Sequence, residues 1–236
     1  MMSCMNEPAF QRARSAEAKQ AREQAILDAA RTLGRQRGVR DITLTDIATA
    51  VGMHKSALLR YFETREQIFL ELTAEGWRQW SADLSRDLAG RTQATPAEIA
   101  ATFAGTLAER PLFCDLLAQA PLNLERNVSI ESVRSFKLAT LHEVELIGGE
   151  LRRLLGLTES QSVDTIATAT SMAGALWQMA TPGTRLRELY TSDPRLGHAV
   201  VEVEPRLTRV LTALLTGFGV QSTRTTEAAR TAAGPP

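Results

Sequence analysis

The chain has 236 residues, of which 44% are hydrophobic, so it is long enough to bury a core in one domain or in two. Lys and Arg balance Asp and Glu at 27 each, the two cysteines match neither a disulfide framework nor a zinc site, and the three histidines are scattered. Because no apolar run suits a signal peptide or a membrane span, we expect a reduced, soluble, cytoplasmic protein.

The balanced charge is unevenly distributed along the chain. Residues 1–62 contain ten Lys or Arg and six Asp or Glu, which gives +4, whereas the remainder has 17 against 21, which gives −4. A basic N-terminal part on a mildly acidic remainder favours a polyanion as the partner of the first part. The stretch "RARSAEAKQAR" at 12–22 is either a basic arm along DNA or the fraying start of a helix.

Helix signals dominate the sequence, and we predict an all-α protein. A first helix is expected from near Ser15 to Arg37, and Thr43 to Asp46 form a capping box for a short second helix. A third helix is expected from about Lys55 to Phe62, and a fourth follows the cap at Thr64 and ends before Gly90. The predicted divisions are a disordered arm (1–14), a three-helix DNA-binding domain (15–63), a larger helical effector-binding and dimerisation domain (64–220) and a disordered tail (221–236).

Capping residues and prolines also mark the predicted helix ends of the larger domain. Thr95, Ser129 and Thr158 are each placed to cap a helix, and a short helix is expected between Pro111 and Pro121. We expect the helix that starts at Thr158 to end near Met179. A loop containing Pro182, Gly183 and Pro194 should follow, and then a last helix from about Pro205 to Phe218.

Residues 43–62, "TLTDIATAVGMHKSALLRYF", predict a helix-turn-helix. Two short amphipathic segments meet at Gly52, where a positive φ is available without the strain that a Cβ adds. The apolar positions that should face inward are Ile47, Ala48, Val51, Leu58 and Phe62. A plain helical hairpin inside a bundle is the alternative interpretation, but it requires neither these caps nor the polar outer face.

The outward face of the third segment suits nucleic acid. His54, Lys55, Ser56 and Ala57 lie at its N-terminal end, the part of such a helix that meets base edges in a major groove. The residues suited to phosphate oxygens are Thr43, Thr45, Arg60, Tyr61 and Arg65.

Residues 25–69, "AILDAARTLGRQRGVRDITLTDIATAVGMHKSALLRYFETREQIF", resemble the DNA-binding domain of the tetracycline-repressor (TetR) family of transcriptional regulators. The resemblance rests on spaced positions: Gly38, Thr43, Ile47-Ala48, Gly52, Tyr61-Phe62 and Arg65. It implies a homodimeric regulator, commonly a repressor, that a small molecule releases from a palindromic operator in double-stranded DNA. His54 stands where the family usually has a Ser or Thr cap, and Leu59 replaces a frequent phosphate-contacting Tyr.

Apolar residues of the larger domain are candidates for an effector cavity. The residues that we consider for ligand binding are Trp77, Phe103, Leu107, Phe113, Leu117, Phe136 and Trp177. Because they carry no charge, a cavity lined by them would take a largely apolar effector. The alternative is that they are ordinary core.

Two helices near 160–179 and 205–218 are candidates for the dimer seam. The first carries the small residues Ala167, Ala169, Thr170, Ala173, Gly174 and Ala175, which permit close approach. The second carries, at helical spacing, Leu207, Val210, Leu211, Leu214 and Leu215. Intramolecular packing of these faces is the alternative.

Enzymatic activity has no support in the sequence. We find no glycine-rich phosphate loop, no metal-ligand cluster and no Ser/His/Asp arrangement, and we therefore expect neither catalysis nor a cofactor. The alternative hypothesis is a helix-turn-helix regulator whose C-terminal domain binds a protein and no small molecule.

Overall fold

The computed structural model describes residues 7–181 and 183–232, with side chains at 17–181, 183 and 185–219. This part of the chain is helical and contains no strand, as the sequence predicts. The α-helices are α1 (Glu7–Arg37), α2 (Leu44–Ala50), α3 (Lys55–Leu58), α4 (Arg65–Leu88), α5 (Pro96–Ala108), α6 (Pro111–Gln119), α7 (Ile130–Leu155), α8 (Glu159–Ala180), α9 (Thr184–Ser192) and α10 (Val203–Ala232). Short 3₁₀ turns lie at Val39–Asp41, Leu124–Asn127 and Pro194–Ala199.

The predicted helix starts are confirmed by their side-chain caps. The hydroxyls of Thr43, Thr64, Thr95, Ser129 and Thr158 each accept a hydrogen bond from the backbone N–H three residues later. Each bond satisfies a donor that the first turn of a helix leaves without a partner. The starts of α2, α4, α5, α7 and α8 are therefore determined locally.

The helices pack into two parts that contact each other. We call α1 to α3 and their turns, residues 7–62, the head, and α4 to α10, residues 65–232, the body. In the body, α10 packs on α5 and α8, α6 packs on α8, and α4 packs on α7. The head rests on the body through contacts of α1 with α4 and α6.

Three helix boundaries differ from the sequence prediction, and one helix was not predicted. α1 begins at Glu7, before Ser15, and α10 continues to Ala232, past Phe218. Both extensions follow from composition, because Ala, Glu, Gln and Arg favour the helix and adding residues to a formed helix is easy. Helix therefore replaces the predicted disorder within 7–14 and 221–232, while residues 1–6 and 233–236 lie outside the described residues.

The other two differences are local. The predicted loop after α8 contains α9, whose Leu186 and Leu189 are one helical turn apart. α3 ends at Leu58, because Arg60 and Tyr61 donate to carbonyls three residues back and so tighten the chain into turns.

Part of the predicted dimer seam lies inside a single chain. Leu207, Leu211 and Leu215 are at most 1% exposed within a single chain, on the side of α10 that packs on α5 and α8. A Cβ on Gly174 would lie 2.9 Å from the backbone nitrogen of Ala118 in α6. The small residues of α8 therefore allow α6 of the same chain to pack closely against it. Within residues 7–181 and 183–232, no helix is long and apolar enough to cross a membrane.

Candidate nucleic-acid interface

The head contains the helix-turn-helix that the sequence predicts. Ile47, Ala48 and Leu58 are at most 2% exposed and fix α2 against α3. Between the helices Gly52 has a φ of 64°, a left-handed conformation that favours glycine. The N–H of Met53 then donates to the carbonyl of Ala48 at 2.8 Å, which closes the turn.

A reciprocal capping box opens α2. The Asp46 N–H donates to the Thr43 hydroxyl oxygen at 3.1 Å, and the Thr43 N–H donates to the Asp46 carboxylate at 2.7 Å. Hydrogen bonds from the Thr43 hydroxyl and then from its N–H lower the pKa of Asp46 to about 2, and Arg37 contributes from 3.1 Å. Thr43 is exposed, as a phosphate contact requires, but its hydroxyl proton is already donated to Asp46.

His54 caps α3 in place of a hydroxyl residue. Its Nδ1 accepts from the Ser56 N–H at 3.4 Å and lies 2.9 Å from the Ser56 hydroxyl. Because a backbone N–H can only donate, Nδ1 is the acceptor of this bond. His54 therefore still caps the start of α3, although it departs from the family pattern.

The structure presents most of the predicted DNA contacts to solvent. Thr45, Lys55, Ser56 and Arg60 are exposed together with Thr43 and His54. Ala57 and Tyr61 are half-buried, and Tyr61 packs partly on the core. The exposed members lie on α2, on α3 and in the turn after α3.

Arg65 is an exception to the predicted set. Its guanidinium donates to the carbonyls of Ile42 and Val39, pairs with Glu66 at 2.9 Å and stacks 4.8 Å from the ring centre of Phe69. Its side chain is 13% exposed. These bonds use three of the five N–H donors of the guanidinium and hold the turn before α2 onto α4, so Arg65 has a structural role, and its phosphate contact stays a prediction.

Asp115 of α6 joins the head to the body. Its Oδ2 accepts from the N–H of Val39 at 2.7 Å, and its Oδ1 accepts from Nε2 of Gln178 in α8 at 2.8 Å. The residue is 7% exposed. A single carboxylate therefore connects the 3₁₀ turn before α2 to two body helices.

Glu63 makes a second connection, directly after the recognition segment. Its carboxylate accepts from the Ser129 N–H at 2.9 Å and from the Ser132 hydroxyl at 2.7 Å, at the start of α7. These bonds, that from the Ser129 N–H first, lower the pKa of Glu63. A third connection is the ion pair of Arg31 with Glu75 at 2.7 Å.

The sequence reasoning missed Asp115, Gln178 and Glu63. Asp115 carried a usable signal, because it is an acidic residue between Cys114 and Leu116 in an otherwise apolar helix. A buried carboxylate must find hydrogen-bond donors, but the sequence does not say which.

Most of the predicted ligand contacts form a solid core. Trp77, Phe103 and Phe113 form a cluster with Trp80, with ring centres 5.5 to 6.2 Å apart. Three of its contacts are edge-to-face and one is tilted. Leu107 is fully buried, Phe136 is 7% exposed, and Leu117 is half-buried against the same core. Close packing leaves such rings little room for a guest. The interpretation as core is therefore the better one for these residues.

Two grooves lie at the head–body junction, and both are lined by Arg35, Pro111 and Leu112. The smaller, of about 230 Å³, includes Phe113 together with Arg31, Glu75 and Arg110. The larger, of about 660 Å³, includes Trp177 and is called the junction cleft below. Its lining residues are Gly34, Arg35, Arg37, Gly38, Arg40, Asp41, Pro111, Leu112, Asp115, Trp177, Gln178, Thr181 and Gly183. Of the predicted ligand contacts, Trp77, Phe103, Leu107, Leu117 and Phe136 line neither groove.

Comparison with known proteins identifies both parts of the chain. The family model for bacterial regulatory proteins of the tetR family matches residues 26–72, and the model for a tetracyclin repressor-like C-terminal domain matches residues 74–222. No curated protein matches the sequence.

Solved structures share the fold at low sequence identity. FadR of Thermus thermophilus, a TetR-family repressor solved with lauroyl-CoA, is 21% identical, with a TM-score of 0.51 over 82% of this chain and 93% of that one. FadR of Bacillus subtilis, solved with stearoyl-CoA, is 16% identical, with a TM-score of 0.51 over 81% and 96%. The fatty acid degradation regulator FadR of Bacillus halodurans is 13% identical, with a TM-score of 0.52 over 83% and 94%.

Proposed function

The chain belongs to the TetR family of bacterial DNA-binding transcriptional regulators, and we propose that it is a homodimeric repressor that a small molecule releases from a palindromic operator. The observation that carries this proposal is the exposure of Lys55 and Ser56 at the start of α3, on a helix that the buried Leu58 anchors. Arg60 is exposed in the following turn and is placed to bind a phosphate oxygen.

The outer faces of α8 and α10 support a dimer. On α8 the exposed residues Val163, Ala167, Ser171 and Ala175 follow one another at intervals of four. The exposed Val210 and Ala213 lie on α10, which packs beside α8. Small residues in a row allow the helices of a second copy to approach closely. We propose that these outer faces form the seam and that the inner leucines of α10 do not.

A two-fold dimer imposes a geometry on the operator. Its two α3 segments must enter successive major grooves on one side of the duplex, about 34 Å apart or a multiple of that distance. We therefore propose a palindromic operator whose half-sites are separated by whole turns of DNA.

The switch is proposed to act through the head–body connections. Asp115, Glu63 and the Arg31–Glu75 pair fix the head on α6, α7 and α4. A ligand that favours another arrangement of these helices weakens operator binding by the ratio of its affinities for the two arrangements, typically about 1–3 kcal/mol.

The chemistry of the effector is proposed from the grooves. Solved proteins of this fold hold small molecules, lauroyl-CoA in one and stearoyl-CoA in another, which supports a small-molecule effector here. Arg35 and Arg40 line the larger groove without an ion pair to any described side chain, which favours a ligand with a negative charge over the largely apolar one that the sequence suggested.

Selection from genomic DNA tests the proposal. Purified protein is mixed with genomic fragments, and the retained fragments are sequenced and footprinted. We expect one palindromic motif, protected over two half-sites. The double variant Lys55→Ala/Ser56→Ala should keep its fold and lose that motif. Retention of fragments without a shared motif, or an unchanged motif with the variant, would contradict the proposal.

A further inference from the structure

The junction cleft has the size and the mixed lining of a ligand site. Its volume of about 660 Å³ lies within the usual range for small-molecule pockets. One wall belongs to the head, from the end of α1 and the 3₁₀ turn Val39–Asp41, and the other belongs to α6 and α8 of the body.

The head wall carries two cations that lack an acidic partner. Arg37 is paired with Asp46 at 3.1 Å and also donates to the carbonyl of Asp41 at 2.9 Å. Arg35 and Arg40 are exposed, and neither forms an ion pair with any side chain that the structure describes. Guanidinium groups bind carboxylates and phosphates through paired N–H donors, so these two residues favour an anion.

The body wall carries the indole of Trp177. Trp77 and Trp80 are at most 6% exposed in the aromatic cluster, whereas Trp177 is half-buried and lines the cleft beside Gln178. A partly exposed indole offers a flat apolar surface on which a planar ring can stack.

We propose that the junction cleft binds an organic anion with a planar apolar group, whose charge lies at Arg35 and Arg40 and whose ring lies on Trp177. The proposal names the effector class and the site for the switch, and only its regulatory part rests on the proposed function.

A ligand bound in the cleft contacts both the head and the body. Asp115 and Gln178 line the same cleft, and Asp115 holds the Val39 N–H at 2.7 Å. A ligand that spreads the two walls competes with this hydrogen bond. By linkage, operator DNA must then weaken the binding of the ligand by the same factor as the ligand weakens operator binding.

Equilibrium dialysis of the full chain without DNA tests the site with three matched probes. Naphthoate carries both features, naphthalenemethanol lacks the charge, and decahydronaphthoate lacks the planar ring. We expect naphthoate to bind once per chain. It should bind about tenfold more tightly than naphthalenemethanol, which is the effect of one interaction with a charged group. It should also bind more tightly than decahydronaphthoate, which keeps the charge but cannot stack on the indole.

Variants assign each preference to a wall of the cleft. Arg35→Gln/Arg40→Gln should abolish the preference for the anion and keep that for the planar ring, and Trp177→Leu should do the reverse. The control Arg78→Gln/Arg134→Gln removes two exposed arginines outside the cleft and should change neither. Circular dichroism verifies that each variant is folded.

The outcomes separate this proposal from the function. Absence of naphthoate binding, or an anion preference that survives Arg35→Gln/Arg40→Gln, would overturn the site even if the protein selects an operator. Selective binding together with a failure to select DNA would support the site and contradict the proposed repressor.

Discussion

The carboxylate of Asp115 holds the backbone N–H of Val39 at 2.7 Å across the head–body junction. Val39 is fully buried, so water does not replace this bond when it is lost. The same carboxylate accepts from Gln178 at 2.8 Å, so the head is fixed to α6 and α8 through one side chain.

Asp115→Asn should lower the free energy of unfolding by about 1 kcal/mol. The neutral amide accepts from the Val39 N–H more weakly than the carboxylate does, and Gln178 must turn its own amide to accept from the new NH₂ group. Urea unfolding measures the change, with Asp87→Asn on the exposed face of α4 as the matched control. Equal stability of the two variants would show that the carboxylate contributes nothing to the junction.

Gly174→Ala should destabilise the body although alanine favours the helix by about 1 kcal/mol. The new Cβ would lie 2.9 Å from the backbone nitrogen and 3.2 Å from the Cα of Ala118, and a backbone cannot rotate away. We expect a loss of about 1–3 kcal/mol. Gly149→Ala, whose Cβ meets only an Arg152 nitrogen at 3.9 Å, should stabilise the protein. Thermal unfolding of both variants gives the comparison, and the same sign for both would refute close packing of α6 on α8.

Val210→Arg and Leu211→Arg distinguish the outer seam from the inner core. Val210 is 37% exposed and Leu211 is fully buried. We expect Val210→Arg to yield folded monomers, because a charge is placed in the proposed interface, and Leu211→Arg to unfold the body. Light scattering and circular dichroism report mass and helix content. A folded, dimeric Val210→Arg protein would place the seam elsewhere.

Arg60→Ala and Arg65→Ala should differ in what they disturb. Arg60 is exposed, so its loss should lower the salt dependence of operator affinity by about one unit and leave stability unchanged. Arg65 binds two carbonyls of the head, so its loss should lower stability. Affinity across a salt series and urea unfolding measure the two effects. A drop in salt slope without loss of stability for Arg65→Ala would support the predicted phosphate contact and contradict the structural role.

Asp46 should make the head sensitive to acid. Its pKa falls from 3.8 to about 2 in the folded chain, so its contribution is complete above pH 3.8 and is lost as the pH falls through about 2. Asp46→Asn should remove this component of the acid dependence. The head is monitored by helix content during urea unfolding at several pH values. Parallel acid profiles of the two proteins would show that the capping box does not titrate as described.

Local chemistry made much of the fold readable from sequence. The caps at Thr43, Thr95 and Thr158 and the positive φ at Gly52 depend on a few neighbouring residues, so spacing alone identified them. The same holds for the exposed positions of α3, because the short amphipathic segment has one side for Leu58 and another for Lys55 and Ser56.

Only the tertiary structure decided which surfaces meet. Leucine spacing predicts that α10 has an apolar face, but the same pattern fits α5 of this chain and a helix of a second copy. Likewise, an arginine after the recognition segment suits a phosphate or a backbone carbonyl equally well, and only the structure shows that Arg65 donates to the carbonyl of Ile42. The bond from Val39 to Asp115 joins residues 76 positions apart, and no local pattern encodes such a pairing. Sequence therefore determined the helices and the chemistry of the recognition face, while packing determined the junction and its cleft.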